Sequence, residues 1–336
     1  MCAKRSIPSE NEIFIIRDFA LRVRNNVEKV IVGKQDVIDM LLTAMIAQGH
    51  VLLEDVPGTG KTKLARSIAK SIDGDFKRVQ FTADLLPSDL TGIHFFNQKQ
   101  GEFIFRAGPL FTNILLADEI NRATARTQSS LLECMEERQI TVDGKSMQLE
   151  RPFLVIATQN PIETQGTFPL PEAQLDRFLL RLAMGYPEHE DGKKIMTRFQ
   201  TEDPFQQLQA VCTKEELIQA QNLFEYVYVS DSVLTYILSI VEATRKHESI
   251  LLGVSPRGSL ALMKACQVYA AIHGKAFVTP DDVKTLLIPV FAHRIILRSA
   301  TSFSTTMSYS QGAGRAAEVL TQIAASLPCP TENFTD

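Results

Sequence analysis

The chain lacks any long apolar run. Even the stretch at 40–46 is interrupted by Thr43, and Gln48 and His50 follow soon after. Nothing approaches the roughly 18 residues that a membrane-spanning helix needs. The opening MCAKRSIPSE has no apolar core of the kind a signal peptide carries. Cysteine is sparse. Cys2, Cys134, Cys212, Cys266 and Cys329 lie far apart, with no CxxC and no histidine pair at zinc spacing. An odd set of scattered thiols fits a reducing compartment better than a disulfide framework. A surplus of positive charge is also missing. The 35 Lys and Arg stand against 39 Asp and Glu, for a net charge of −4. A protein that coats nucleic acid is usually basic, so only a local basic channel stays compatible with these numbers. There is no internal repeat and no low-complexity tract. These absences predict a soluble, cytoplasmic chain without a membrane span, for which nucleic acid is an unfavoured partner.

What is present is a well-stocked core. Apolar residues make up 45% of 336, and charged residues 22%. Both are ordinary for globular proteins, and the length suggests about two domains. Ser9 and Glu12 have capping-box spacing, and Ile13, Ile16, Ala20, Val23 and Val27 follow at helical intervals. A first helix to about Val30 and a second over 35–48 are predicted. The run HVLLE at 50–54 then enters DVPGTGKT, and 63–71 is helical again. Further strands are predicted at 78–82, 113–117, 153–157 and 178–182, with a helix over 127–138. Two hairpins are predicted, one joining 93–96 to 103–106, the other joining 139–142 to 145–149 through Asp143-Gly144. Asp-Gly suits the left-handed angles of a two-residue turn.

Continuous apolar strands alternating with helices indicate a mostly parallel sheet covered on both faces. That pattern stops near Tyr186-Pro187. Polar EHEDGKK follows. The expected division is an α/β nucleotide-binding part at 1–187, a linker at 188–212 and a helical part at 213–336. Thr213 with Glu216, Ser230, Ser255-Pro256 and Thr279-Pro280 are helix-start signals in that last part. A Ser- and Thr-rich stretch at 299–312 is expected to be mobile, before a last helix at 313–326.

Pro57-Gly58-Thr59-Gly60-Lys61-Thr62-Lys63 is the strongest chemical signal. Backbone N–H groups of such a loop, with the helix N-terminus behind it, form a phosphate-binding concavity. Lys61 would reach the β- and γ-phosphates, and the Thr62 hydroxyl would ligate Mg²⁺. The strict pattern wants glycine where Asp55 stands; Asp tolerates unusual backbone angles better than most residues. Asp118 and Glu119 leave the end of an apolar strand, facing the same crevice. Asp118 would hold the Mg²⁺ shell and Glu119 would polarise the attacking water. Asn160 ends a third strand, where it could orient that water or touch the γ-phosphate, or serve only as a turn residue. Arg177 and Arg257 could each stabilise a transferring phosphoryl group, in cis or in trans.

Four stretches together resemble the MoxR family of AAA+ ATPases. They are LLEDVPGTGKTKLA, DLLPSDLTG with GPLFTNILLADEINRA, TQNPIETQGTFPLPEAQLDRF, and GVSPRG, spread over about residues 31–257. The resemblance implies a P-loop AAA+ core followed by an all-α lid. It makes 58–62 a Walker A motif, Asp118 and Glu119 Walker B, Asn160 sensor 1 and Arg257 the sensor 2 arginine. It makes Arg177 an arginine finger entering a neighbour's site, and it sets Val32-Gly33 beside the adenine. The two hairpins resemble the helix-2 and pre-sensor-1 inserts. ATP and Mg²⁺ are the implied cofactors. A homo-oligomer, commonly a ring of six, is the implied assembly. The implied work is chaperone-like remodelling of partners that often carry a von Willebrand factor A-type domain. Three alternatives stay open: a nucleotide-dependent scaffold without turnover, a magnesium-chelatase-like subunit and a nucleic-acid motor.

Overall fold

The fold is taken from a computed structural model, which describes residues 10–160, 166–200, 203–298 and 309–330. Ser9 of the first capping box and the Ser/Thr-rich residues 299–308 lie outside that set. In chain order the first part runs α1 (Glu10–Glu28), α2 (Gln35–Ile46), β1 (Val51–Glu54), α3 (Lys61–Ser71), β2 (Phe76–Gln80), α4 (Pro87–Thr91), β3 (Gly92–Asn97), β4 (Glu102–Ala107), β5 (Ile114–Asp118), α5 (Ala125–Glu137), β6 (Gln139–Val142), β7 (Lys145–Gln148), β8 (Leu154–Gln159), α6 (Glu172–Leu175) and β9 (Leu180–Leu182). Then come α7 (His189–Phe199), α8 (Lys214–Leu223), α9 (Asp231–Lys246), β10 (Ile250–Leu252), α10 (Pro256–Ile272), α11 (Pro280–Phe291), β11 (Ile296–Leu297) and α12 (Tyr309–Ser326).

Five strands form one parallel sheet in the order β2-β5-β8-β1-β9. Side chains alternate across a strand, and the two faces sort accordingly. Val51, Leu53, Ile114, Leu116, Leu154 and Ile156 join one core with α1, α2, α3 and the C-terminal helices. Leu52, Leu115, Ala117, Val155 and Ala157 join a second core with α5 and Phe81. This double burial is why β5 and β8 read as unbroken apolar runs. The registers Gln80↔Asp118 and Glu54↔Gln159 bring the carboxyl ends of β2, β5, β1 and β8 to a common edge. That edge carries the site.

The C-terminal part is helical, and its caps are those expected. Thr213 accepts from the Glu216 amide, Ser230 from Val233, Ser255 from Gly258 and Thr279 from Asp282. Each such cap is worth about 1 kcal/mol. One short antiparallel pair, β10 with β11, sits among these helices, with Ile250 and Leu297 buried in their core. The hairpins β3–β4 and β6–β7 form as predicted, and Asp143 (φ 51°) and Gly144 (φ 76°) adopt the left-handed turn. The polar stretch expected to be linker contains a helix, α7. Glu190 and Asp191 lie in its first turn, where the helix dipole favours acids. No helix among the described residues is long and apolar enough to cross a membrane.

Candidate functional site

Between β1 and α3 the chain passes through the glycine-rich loop. Gly58 (φ 84°) and Gly60 (φ 95°) hold left-handed backbone that side chains avoid. A Cβ on either would meet no heavy atom within 4 Å. The loop therefore faces open space, with the N-terminus of α3 directly behind it. Lys61 Nζ donates to the carbonyl oxygens of Asp55 at 3.0 Å and Val56 at 3.2 Å, which holds its ammonium against the loop.

Asp55 replaces the expected glycine for a reason other than backbone freedom. It is not among the residues with positive φ. Its carboxylate is buried and accepts three backbone N–H bonds, from Val56 at 2.8 Å and from Met184 and Gly185 at 3.1 Å each. It is a strut between the loop and the chain leaving β9. Asp55→Ala would leave those donors unpaired and should destabilise the fold by about 2–3 kcal/mol. A urea unfolding midpoint equal to wild type would contradict this.

Asp118 and Glu119 stand at the end of β5. Thr158, from β8, donates its hydroxyl to Asp118 Oδ1 at 2.6 Å and accepts the Glu119 amide at 2.9 Å. One side chain thus fixes both acids. Arg78 of β2 pairs with Asp118 Oδ2 at 2.6 Å. Gln80 Nε2 donates to Glu119 Oε2 at 2.6 Å, and Arg122 Nε meets the same oxygen at 2.9 Å. Glu119 itself has φ 58°, a conformation uncommon outside glycine and often found at functional sites. Asn160 is buried just past β8.

These groups border one cleft of about 650 Å³, within the range of small-molecule sites. Pro57, Gly58, Thr59, Gly60, Lys61, Thr62 and Lys63 line it, as do Asp118, Glu119 and Asn160. Val32 and Tyr186 on one side, with Ile195 and Phe199 of α7, add apolar wall. Lys63 lies at the rim, paired with Asp203 at 3.2 Å and set 3.9 Å over the Phe199 ring. Gly33 is not on this cleft. Its φ is 68°, and a Cβ there would fall 1.8 Å from the Asp191 carboxylate. Its place is to let α7 approach the turn that carries Val32.

Arg177 and Arg257 are likewise absent from the cleft lining. Arg177 Nε pairs with Glu136 Oε2 at 3.1 Å, and Arg257 Nη2 pairs with the other oxygen of that carboxylate. Arg78, Gln80, Thr158 and Glu136 carry no signal in the sequence. Nothing in their local spacing marks them, because each acquires its place by pairing across strands or helices.

The open loop, the Lys61 ammonium and the apolar wall suit a nucleotide with a polyphosphate chain. The Thr62 hydroxyl and Asp118 carboxylate are hard oxygen donors. Magnesium takes few such protein ligands and completes its shell with phosphate oxygens and water. A cation at Asp118 has to compete with Arg78.

Comparison with known proteins agrees with this geometry. Residues 50–180 match the family described as ATPase family associated with various cellular activities (AAA), and residues 242–308 match an AAA lid domain. The chain is 39% identical to the protein named Chaperone MoxR1 of Mycobacterium tuberculosis, over 81% of this chain and 74% of that one. It is 52% identical to the uncharacterized YeaC of Bacillus subtilis, over 83% and 87% respectively. A crystal structure of a candidate ATPase from Cytophaga hutchinsonii superposes with a TM-score of 0.85 at 36% identity, covering 96% of this chain and 98% of that one. With a glycine loop, paired acids and a helical lid in one arrangement, the chain belongs to the MoxR family of AAA+ ATPases.

Proposed function

We propose that this protein binds ATP with Mg²⁺, hydrolyses it at sites shared between copies of the chain, and uses the cycle to remodel, assemble or activate partner proteins. The observation that carries the reading is the split of the machinery. The phosphate loop, Asp118, Glu119 and Asn160 share a cleft, whereas Arg177 and Arg257 meet on Glu136 elsewhere. A complete site then needs arginines from a neighbour, which implies a closed oligomer such as a ring of six.

In this mechanism Lys61 and the amides of 58–62 bind the β- and γ-phosphates. Thr62 and Asp118 would hold a Mg²⁺ ion, which would supply neutralisation of the charge developing on the phosphoryl oxygens. Glu119 polarises the attacking water, and Asn160 orients it. Val32 and Tyr186 flank the base. Arg177 and Arg257 of the next copy stabilise the transferring group. The chain divides near 187 and 213, with α7 between the two parts and against the nucleotide. A partner with a von Willebrand factor A-type domain is the client class this family suggests. One observation favours the scaffold alternative: Arg78, Gln80 and Arg122 already occupy both acids. Turnover with ATP separates the two.

Lys61→Ala removes a charge-assisted contact to phosphate. ATP affinity should fall by roughly 10- to 100-fold. Titration with a fluorescent ATP analogue reads this directly, and affinity within about twofold of wild type would remove Lys61 from the phosphate site.

A further inference from the structure

We propose that Glu136 is a positioning residue that clamps Arg177 and Arg257 into one two-cation unit, presented to the nucleotide of a neighbouring copy. This rests on the shared-site reading above and adds to it the group that makes two separate arginines act together.

The two arginines are 80 residues apart in sequence, one after α6 and one in the first turn of α10. The backbones that carry them are tied together first. Asp176 Oδ1 accepts from Arg294 Nε at 2.7 Å, and Asp176 Oδ2 accepts from the Ser255 hydroxyl at 3.1 Å. Ser255 is the N-cap of α10, two residues before Arg257. Arg294 is buried and also donates to the carbonyl of Phe178 at 2.6 Å. The turn bearing Arg177 and the helix start bearing Arg257 are thus one joined piece.

Glu136 then gathers the side chains. Two guanidinium groups drawn to one place repel each other, and more strongly where water is excluded. A carboxylate shared between them offsets that repulsion and leaves the unit with a net positive charge. Arg177 engages through Nε and Arg257 through Nη2. Each guanidinium keeps further N–H groups that these contacts do not use. All three side chains are partly exposed, at 30% for Arg177, 47% for Arg257 and 33% for Glu136. The unit can therefore meet an anion arriving from outside the chain.

Its place in the fold gives the direction. α5 begins just after the turn that holds Glu119 and carries Glu136 near its other end. Eleven residues of helix span roughly 17 Å. Neither arginine lines the cleft of its own chain, and in the shared-site reading the phosphate they meet is a neighbour's.

The test compares assembled wild type with Glu136→Ala, Glu136→Asp, Arg177→Ala, Arg257→Ala and the double arginine variant with and without Glu136→Ala. Glu136→Ala should lower kcat roughly 10- to 100-fold, as loss of catalytic positioning does, with KM for ATP little changed. Glu136→Asp keeps the charge and should restore part of the rate. In the double arginine background Glu136→Ala should cost nothing more, since it acts only through those residues. A second readout avoids turnover altogether. With Glu119→Gln chains saturated with ATP, sedimentation should show Glu136→Ala assembling only at higher protein concentration. An unchanged thermal midpoint confirms folding, and Glu136→Asp serves in its place if the alanine variant is unstable. Activity at or above wild type in Glu136→Ala would overturn the clamp, and so would a loss that persists in the double arginine background. If the single arginine variants alter neither turnover nor assembly, the shared-site reading fails and the clamp with it. If they do alter them and Glu136→Ala does not, the clamp alone fails.

Discussion

Glu119→Gln is expected to bind ATP as wild type does and to hydrolyse it roughly 10²- to 10⁴-fold more slowly, the range for loss of a general base. The substitution changes little besides charge and basicity. The backbone N–H of Glu119 donates to Thr158 Oγ1, a hydrogen bond that a glutamine keeps. An amide oxygen can still accept from Gln80 and Arg122, which hold the carboxylate now. The shape of the site survives, while the negative charge and proton acceptance are lost. Equilibrium ATP binding and single-turnover hydrolysis, measured side by side, check this. A fall in affinity as large as the fall in rate would mean that Glu119 serves the ground state, and a rate within a few-fold of wild type would remove it from the chemistry.

Arg177→Ala should cost on the order of 10³-fold in turnover, the lower end of what arginine fingers supply. Its distinctive consequence appears on mixing. An Arg177→Ala chain has an intact cleft but offers no finger. A Glu119→Gln chain offers a finger but has a dead cleft. Wherever the second chain's arginine meets the first chain's cleft, a complete site forms. At equal mixing about a quarter of head-to-tail interfaces are of that kind. Activity should therefore return on mixing two nearly inactive preparations. No return at any ratio would count against arginines acting across an interface. Arg257→Ala should behave in the same way, because both arginines sit on Glu136.

The legible part of this protein is the part written in local patterns. The run at 50–54, the glycine loop and the helix after it are contiguous, so periodicity and turn chemistry are enough to find them. Asp143-Gly144 identifies its hairpin because the turn needs those two residues. The caps at Thr213, Ser230, Ser255 and Thr279 are each settled within three residues. What depends on distant pairing was hidden. Asp55 reads as a tolerant substitute for glycine until Met184 and Gly185, about 130 positions away, donate to its carboxylate. Thr158 looks like the polar end of a strand, and only the alignment of β5 with β8 sets it against Asp118 and Glu119. Arg78 and Gln80 lie on a strand whose partner begins some forty residues later. Gly33 lies between Val32 and Lys34, which line the cleft, and the room its missing side chain leaves for Asp191 depends on a helix some 160 positions away. The polar start of α7 masked a helix whose Ile195 and Phe199 face the cleft. Glu136 has no signature at all, since its meaning comes from two arginines that converge on it from other segments.

The most direct test of the account is steady-state ATP hydrolysis per subunit, followed across protein concentration with and without Mg²⁺. The expected result is magnesium-dependent turnover whose rate per subunit rises with concentration as copies meet, and which disappears in Glu119→Gln. A rate per subunit that stays flat from dilute monomer to assembled protein, or that proceeds without the metal, would contradict a shared magnesium-dependent site.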